Sequence, residues 1–342
     1  MDEPMPSLED SPSSRLAAGC GVIHVIGRSS ELTDFLFDGL DGIEEAKVIS
    51  YRVRSRRPWS SLLKSMDAYV LPARCRSLYF DFQFVARLQA IRPNDRVLFF
   101  AVENDRELRI LRKYIRARQL ALWLWNPISS FQPHASGRNQ YLRWLRRAGI
   151  RAYTFDNGDA RDFGIEATSQ VFRHVPLATG ASGISARLDV YFVGSDKGRL
   201  ADLRILENEF QKEGLSTNFH VIGDRHRRYC AEERSWLRPE PLSYRENLDR
   251  IMHSRAVLEI LQSGQRGVSL RYMEAMFLDR KLITNNPAAC KMPGYDPSRI
   301  FILGNDELSG IRQFIEQPSK PVDPQVLRQH DIGGWLRQFF LA

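Results

Sequence analysis

The sequence contains few cysteines, and they are scattered. Cys20, Cys75, Cys230 and Cys290 form no C-x-x-C pair and lie beside no histidine cluster. This spacing gives neither a zinc site nor a disulfide framework. We therefore expect a protein of the reducing cytoplasm.

Long apolar runs are also missing. No stretch approaches the roughly 20 apolar residues that a membrane-spanning helix requires. The segment MDEPMPSLEDSPSSRLAA at 1–18 is rich in proline, serine and acidic residues, and it lacks the basic and apolar regions of a signal peptide. This composition predicts a disordered tail over 1–18. The protein is expected to be soluble, or peripheral to a membrane.

The charge is unevenly distributed along the 342 residues, whose formal net charge is +8. Residues 52–151 carry 21 Lys and Arg against 6 Asp and Glu, whereas residues 181–342 carry 23 against 21. A strongly basic half favours a polyanionic partner, which can be nucleic acid, a phosphorylated substrate or an anionic membrane surface. Solvated helix faces that happen to use arginine are the alternative.

Short apolar runs alternate with amphipathic segments, and this alternation predicts parallel sheets covered by helices on both faces. In the first half the runs are GVIHVIG (21–27), KVISYR (47–52), RVLFFAVEN (96–104), ALWLWNP (121–127) and RAYTFD (151–156). The pattern restarts after the Gly/Ser/Ala-rich segment 180–185. We predict two doubly wound Rossmann-like domains facing a cleft, over 19–180 and 181–342. The terminal helix can pack back on the N-terminal domain.

Ligands of such sheets bind at the carboxyl ends of the strands. The loop VGSDKGR places Gly194, Ser195, Lys197 and Arg199 at a strand end that opens a helix. Glycines let the backbone approach a phosphate, and a helix N-terminus supplies free N–H groups. The loop is neither G-x-G-x-x-G nor a Walker motif, which disfavours a dinucleotide or nucleoside triphosphate site. A plain turn is the alternative.

A second loop has a similar design. It supplies Gln262, Gln265, Gly267 and Ser269, the last as the expected N-cap of a helix. Within this helix Arg271 and Glu274 lie three residues apart and share a face. An arginine here can bind a diphosphate bidentately, and the carboxylate can accept hydrogen bonds from ribose hydroxyls. A surface Arg–Glu ion pair is the alternative.

Several motifs together resemble one family. They are LWLWNP (122–127), TFDNGDARDFGI (154–165), DVYFVGSDKGR (189–199), QSGQRGVSLRYMEAM (262–276), KLITNN (281–286) and YDPSRIFIL (295–303). Their order resembles bacterial GT-B-fold glycosyltransferases of the lipopolysaccharide or capsular polysaccharide biosynthesis type. The resemblance covers most of the chain from about residue 95 onward, whereas the first 95 residues match weakly.

The resemblance implies an acceptor-binding N-terminal domain and a C-terminal domain that binds a nucleotide-sugar. Glu274 would bind the ribose, while Arg271 and the backbone of 267–269 would hold the diphosphate. Lys197 and Arg199 would stabilise the departing nucleotide without a metal. The sequence contains no D-x-D motif, and no cofactor is implied beyond the nucleotide-sugar as co-substrate.

The catalytic base and the acceptor site are less defined by the sequence. Asp156 and Glu103 are the candidates for a base in an inverting reaction, with Asp81 behind them, and an N-cap role is the alternative for Asp156. A retaining reaction can proceed without a discrete base. Trp125 and Asn126 lie at another strand end and are candidates for acceptor binding, with burial in the core as the alternative for the tryptophan.

The expected function is metal-independent transfer of a sugar from a nucleotide-sugar, with UDP as the expected carrier, to a glycan or lipid-linked acceptor in cell-surface polysaccharide biosynthesis. An anionic membrane surface is a candidate partner, which places the protein in the cytoplasm or at the inner face of the membrane. Two alternatives stay open: a nucleotide-sugar epimerase of the same fold, and a non-catalytic nucleic-acid-binding protein that uses the basic half. No nucleic-acid-binding motif is found, so no nucleic acid is expected.

Overall fold

The computed structural model describes residues 21–40, 42–43, 45–52, 60–132, 134–175, 188–261 and 267–340. Its first sheet is parallel throughout and has the strand order β2-β1-β3-β4-β5-β6. The strands are β1 (Ile23–Arg28), β2 (Ala46–Tyr51), β3 (Arg96–Phe100), β4 (Gln119–Leu124), β5 (Ile150–Thr154) and β6 (Glu166–Ala167). The helices are α1 (Glu31–Asp38), α2 (Ser60–Tyr69), α3 (Phe82–Gln89), α4 (Asp105–Tyr114), α5 (Ile128–Phe131), α6 (Ala135–Arg147) and α7 (Asn157–Phe163).

The second sheet is also parallel and has the order β11-β10-β9-β7-β8. Its strands are β7 (Leu188–Ser195), β8 (Thr217–Ile222), β9 (Ser254–Glu259), β10 (Lys281–Thr284) and β11 (Ile300–Ile302). The helices are α8 (Leu200–Lys212), α9 (Ala231–Trp236), α10 (Tyr244–Met252), α11 (Leu270–Phe277), α12 (Ile311–Glu316), α13 (Pro324–His330) and α14 (Ile332–Leu336). The predicted fold class, α/β with two doubly wound Rossmann-like domains facing a cleft, is confirmed.

Both sheets share one topology. Counted from its own first strand, each sheet places strand 1 between strands 2 and 3. The chain therefore reverses its direction of winding between β1 and β3 in the first sheet and between β7 and β9 in the second. A crevice opens at the carboxyl ends of the strands at such a switch point. The topology thus directs attention to the ends of β7 and β9.

The elements form where apolar runs meet capping residues. The central strands β3 and β4 are almost entirely buried and apolar because helices cover both of their faces. Helix α4 begins after Asn104, whose side chain accepts a hydrogen bond from the Glu107 N–H at 3.1 Å. Leu108 and Leu111 of this helix are fully buried, as their spacing predicts.

The largest apolar cluster joins the two sheets and the C-terminal helices. Trp335 of α14 packs edge-on against Trp123 of β4, with ring centroids 5.1 Å apart. Phe339 packs on Tyr153 of β5 at 4.7 Å. The end of the chain therefore lies against the first sheet.

Two predictions concern segments beyond the described residues. The disordered tail over 1–18 lies outside them, and so does the domain boundary near residue 180, because 176–187 is not described. Both stay predictions. No helix in the described part of the chain combines the length and the apolarity that crossing a membrane requires.

Candidate active site

A cleft of about 530 Å³ opens at the switch point of the second sheet, between the ends of β7 and β9. The N-terminus of α11 forms part of its wall. The residues that follow β4 in the first sheet form the opposite wall. The predicted site residues that line it are Gly194, Ser195, Lys197, Arg199, Ser269, Arg271, Trp125 and Asn126.

The loop after β7 presents an ammonium group to this cleft. Lys197 has a φ of 46°, and its backbone N–H donates to Asp224 Oδ2 at 2.8 Å, so the tight turn is anchored. Its ammonium group forms no ion pair with any of the described residues. Burial, together with the neighbouring Arg199, lowers the pKa of Lys197. An anion in the cleft would favour the charged form of Lys197 and so raise this pKa again.

Arg199 is held by backbone carbonyls and not by a carboxylate. Its guanidinium donates to the carbonyls of Ser195, Asp196 and Ile260. Ser195 is the last residue of β7, and Ile260 is the residue after β9. Burial and the neighbouring Arg271 lower the pKa of Arg199. An arginine side chain nevertheless stays protonated in proteins. The three carbonyls therefore fix the orientation of the Arg199 guanidinium, and its positive charge at the floor of the cleft is not neutralised by a carboxylate of the described residues.

The start of α11 is built as the sequence predicts. Ser269 is the N-cap, and its Oγ accepts from the Arg271 N–H at 3.0 Å. A Cβ added to Gly267 would lie 2.6 Å from Phe155 of the opposite domain, so only glycine fits at this position. Gln262 and Gln265 lie outside the described residues, and their donor-binding roles stay predictions.

Arg271 and Glu274 contact each other, but they are placed differently. Arg271 lines the cleft and donates to the Val193 carbonyl at 3.2 Å. Glu274 has no exposed surface, and its carboxylate accepts from Arg271 and from Asn247 Nδ2, the latter at 3.0 Å. The carboxylate is fully buried and the arginine is 21% exposed in the cleft, so this is not the surface ion pair considered as the alternative. Glu274 holds Arg271 from behind, and the ribose contact implied by the resemblance stays a prediction.

A second carboxylate, which the sequence reasoning missed, does line the cleft. Glu259 lies at the end of β9, is 3% exposed, and accepts hydrogen bonds from the hydroxyls of Ser269 and Thr284. Burial raises the pKa of its carboxyl group. The available signal was its position as the one acidic residue inside the apolar run AVLEIL at 256–261.

The opposite wall is formed by Trp125 and Asn126. The carboxylate of Glu103 accepts hydrogen bonds from the Asn126 backbone N–H at 2.6 Å and from its Nδ2 at 2.9 Å. Burial raises the pKa of Glu103. Trp123 is fully buried, whereas Trp125 is partly exposed in the cleft. Trp123 is therefore a core residue, whereas Trp125 faces the cleft.

Asp156 has the structural role that was considered as its alternative. It is the N-cap of α7, and its Oδ1 accepts from the N–H groups of Gly158 and Asp159 at 2.8 and 3.1 Å. Its Oδ2 accepts from the Gly267 N–H at 3.0 Å, which joins the two domains. Asp156 is 2% exposed. Its proposed catalytic role is untested by this geometry, which shows a carboxylate engaged by backbone N–H groups. Asp81 likewise caps α3.

Across the described ranges, no group of three or more His, Cys, Asp or Glu side chains is arranged to hold a metal ion.

Comparisons with known proteins give distant structural matches. No protein-family model and no curated protein matches the sequence. Among solved structures, the glycotransferase of kitacinnamycin is 14% identical, with 93% of this chain and 95% of that chain covered and a TM-score of 0.40. A UDP-N-acetylglucosamine 2-epimerase from Listeria monocytogenes is 9% identical, with 91% of each chain covered and a TM-score of 0.43. The DNA-modifying enzyme β-glucosyltransferase is 11% identical, with 93% of each chain covered and a TM-score of 0.43.

Proposed function

We propose that this protein is a glycosyltransferase that moves a sugar from a nucleotide-sugar, UDP-linked, to a glycan or lipid-linked acceptor in cell-surface polysaccharide biosynthesis. One observation carries the proposal. Lys197, Arg199 and Arg271 converge on a single cleft at the carboxyl ends of β7 and β9. Their charges, set beside a helix N-terminus, are suited to a diphosphate.

The cations would act most strongly on the departing nucleotide. Negative charge grows on the diphosphate as the bond to the sugar breaks, so fixed positive groups stabilise the transition state more than the ground state. Arg199 and Arg271 are already oriented by carbonyl and carboxylate partners. Charge stabilisation by side chains supports a metal-independent transfer in this proposal.

The donor hydroxyls require acceptors as well as donors of hydrogen bonds. Glu259 lines the cleft and Glu274 does not. Glu259 is therefore the carboxylate that we assign to the hydroxyls of the donor, and Glu274 is the positioning residue of Arg271. This assignment moves the proposed ribose contact from Glu274, the one carboxylate of the predicted donor site, to Glu259.

The acceptor would lie against Trp125 and Asn126, across the cleft from the cations. Of the two candidate bases, Glu103 fits better, because it contacts the cleft-lining Asn126 and burial raises its pKa toward the range useful for proton transfer. Asp156 is engaged by three backbone N–H groups. A lipid-linked acceptor would bring the protein to the inner face of the cell membrane as a peripheral protein.

The test is calorimetry with UDP and a panel of UDP-sugars. We expect Lys197→Ala to weaken nucleotide binding by roughly 10- to 100-fold, which corresponds to one charged hydrogen bond of about 1.5–3 kcal/mol. Lys212→Ala is the matched control, because Lys212 lies on the exposed face of α8 and pairs only with Glu209 among the described residues. No binding of any nucleotide-sugar, or equal affinity in both variants, would refute the donor site.

A second measurement separates transfer from the alternatives. Sugar appearing on an added acceptor supports transfer, whereas a UDP-sugar converted to its epimer without acceptor indicates an epimerase. Salt-dependent binding of RNA or DNA in the absence of nucleotide-sugar binding would support the nucleic-acid alternative.

A further inference from the structure

Helix α2 turns its apolar side chains toward solvent. Leu62, Met66, Tyr69 and Val70 are 52%, 39%, 57% and 70% exposed. They follow one another at i, i+4, i+7 and i+8, so they lie on one face of the helix and its C-terminal extension. A helix at the surface of a globular protein ordinarily buries this face.

The polar side of α2 is the one that packs on the protein. Asp67 is fully buried, and it accepts hydrogen bonds from Lys113 of α4 and from the backbone N–H groups of Leu78 and Tyr79. Lys64 donates to Glu107 of α4 at 2.8 Å. Rolling the apolar face inward would break these buried ion pairs at a high cost. The outward orientation of the apolar face is therefore fixed by the fold.

Two large apolar side chains that follow α2 in the chain are also exposed. Leu78 and Phe82 are 45% and 66% exposed. With Leu63, residues 62–82 contain seven large apolar side chains that are exposed. Elsewhere among the described residues, Ile205 is the only large apolar side chain that is exposed. Such a concentration is typical of an interaction surface. We call these seven exposed side chains between residues 62 and 82 the α2 face.

Four arginines in the segments next to the α2 face have no acidic partner among the described residues. Arg74, Arg76 and Arg87 are exposed, and Arg106 reaches Ser61 Oγ at 3.1 Å. None of them forms an ion pair with a described residue. Two acidic residues lie near this surface. Asp81 is exposed, whereas Asp105 accepts a hydrogen bond from the Tyr69 hydroxyl at 2.7 Å and is already paired with Arg109. A partner of this surface must therefore be apolar at its centre and anionic around it.

We propose that the α2 face docks on an anionic lipid bilayer, with its apolar side chains between the headgroups and its arginines on the lipid phosphates. An apolar helix face bordered by arginines is the composition of helices that lie in a membrane interface. The inference rests on the proposed function for its biological setting, since a lipid-linked acceptor lies at that surface.

Trp144, which lies beside a basic cluster in the sequence, is not part of the α2 face. Trp144 is half-buried, and the Arg109 guanidinium lies 4.2 Å from its ring centroid. The segment RVRSRRPW at 52–59 lies almost wholly outside the described residues.

The test is co-sedimentation of the full chain with vesicles of mixed phosphatidylglycerol and phosphatidylcholine, and with phosphatidylcholine vesicles alone, at low and high salt. We expect binding to the anionic vesicles that weakens with salt. Leu62→Gln combined with Val70→Gln should lower partitioning at least tenfold. Ile205→Gln, an equally exposed apolar residue on α8, is the matched control and should leave it unchanged.

The charges are tested separately. Arg74→Gln with Arg76→Gln should lower partitioning about 25-fold, at about fivefold for each arginine near the surface. Arg225→Gln with Arg228→Gln is the control pair, since both arginines are exposed in the second domain. All substituted side chains are exposed, so unchanged melting temperatures will show that the fold is kept.

Three outcomes overturn the proposal: no binding to anionic vesicles, binding that ignores lipid charge and salt, or equal losses in the α2 variants and their controls. A concentration-dependent dimer in solution that Leu62→Gln with Val70→Gln abolishes, without vesicle binding, would assign the α2 face to a second copy of this chain. Calorimetric UDP-sugar binding is measured on the same variants without lipid. Its failure would refute the donor site, whereas its persistence without vesicle binding would refute only the docking surface.

Discussion

Replacement of Glu274 by glutamine distinguishes two descriptions of the donor site. In the wild type, two acceptor oxygens meet two donors, the Arg271 guanidinium and the Asn247 amide. An amide has one oxygen, so in Glu274→Gln one donor must face Nε2, which is itself a donor. The substitution therefore breaks an ion pair whose carboxylate is fully buried, while changing the volume of the side chain very little.

The expected loss of stability can be worked from these contacts. Losing a charged hydrogen bond costs about 1.5–3 kcal/mol, and a buried donor without a partner costs about 1–3 kcal/mol more. A total of about 3–5 kcal/mol agrees with the usual cost of breaking a buried ion pair. At about 2–4 °C per kcal/mol for domains of this size, the melting temperature should fall by roughly 10 °C. Donor affinity should fall too, because Arg271 loses its orientation.

The assay is differential scanning calorimetry of the free protein, followed by titration with UDP-sugar at a temperature where both forms are folded. Glu316→Gln is the matched control, because Arg312 and Glu316 form an exposed pair at 3.0 Å on α12. It should change stability by a few tenths of a kcal/mol. An unchanged melting temperature for Glu274→Gln, with weakened donor binding, would refute the reasoning and restore Glu274 as a direct ligand of ribose.

Three further substitutions test the site. Gly267→Ala should destabilise by about 1–3 kcal/mol because its Cβ meets the Phe155 ring, whereas Gly310→Ala, which meets nothing within 4 Å, should be near neutral by thermal melting. Burial raises the pKa of Glu259, so the stability that its protonated carboxyl group contributes is fully present below its usual value of 4.5 and is lost as pH rises through the folded value. The melting temperature of Glu259→Gln relative to wild type should therefore increase as the pH is raised above about 4.5. Asp156→Asn should keep the helix cap but lose the link to the Gly267 N–H, lowering stability by about 1–3 kcal/mol, and a residual transfer rate within tenfold of wild type would exclude it as the base.

The fold was predictable because buried strands are short apolar runs bounded by polar residues. The amphipathic segment DRELRILRKYIRAR predicts a helix over 105–118, and α4 begins there but ends at Tyr114. Its apolar periodicity continues, yet Ile115 is extended and buried, and Arg112 donates to its carbonyl at 2.9 Å. Tertiary packing therefore ends the helix before the sequence pattern does.

The cleft was predictable only at the level of the backbone. Strand ends meet at one edge of a parallel sheet, so the loops that contain Lys197 and Ser269 had to lie close together. Which carboxylate faces the cleft depends on the rotation of α11 about its axis and on Asn247 of α10, a residue without any motif. The inverted polarity of α2 is likewise invisible in sequence, because its apolar spacing alone predicts a buried face.

The two arginines and the lysine of the cleft differ in how far they are fixed before a ligand arrives. Arg199 is held by three carbonyls, and Arg271 by a carboxylate and a carbonyl. Ordering a long side chain on binding costs about 0.5–1.5 kcal/mol. Both arginines are already ordered in the folded protein, so ligand binding does not carry this cost for them. Lys197 is anchored through its backbone N–H and not through its ammonium. The arginines are therefore suited to hold a diphosphate in one orientation, while the lysine can follow the phosphate charge as the bond to the sugar breaks.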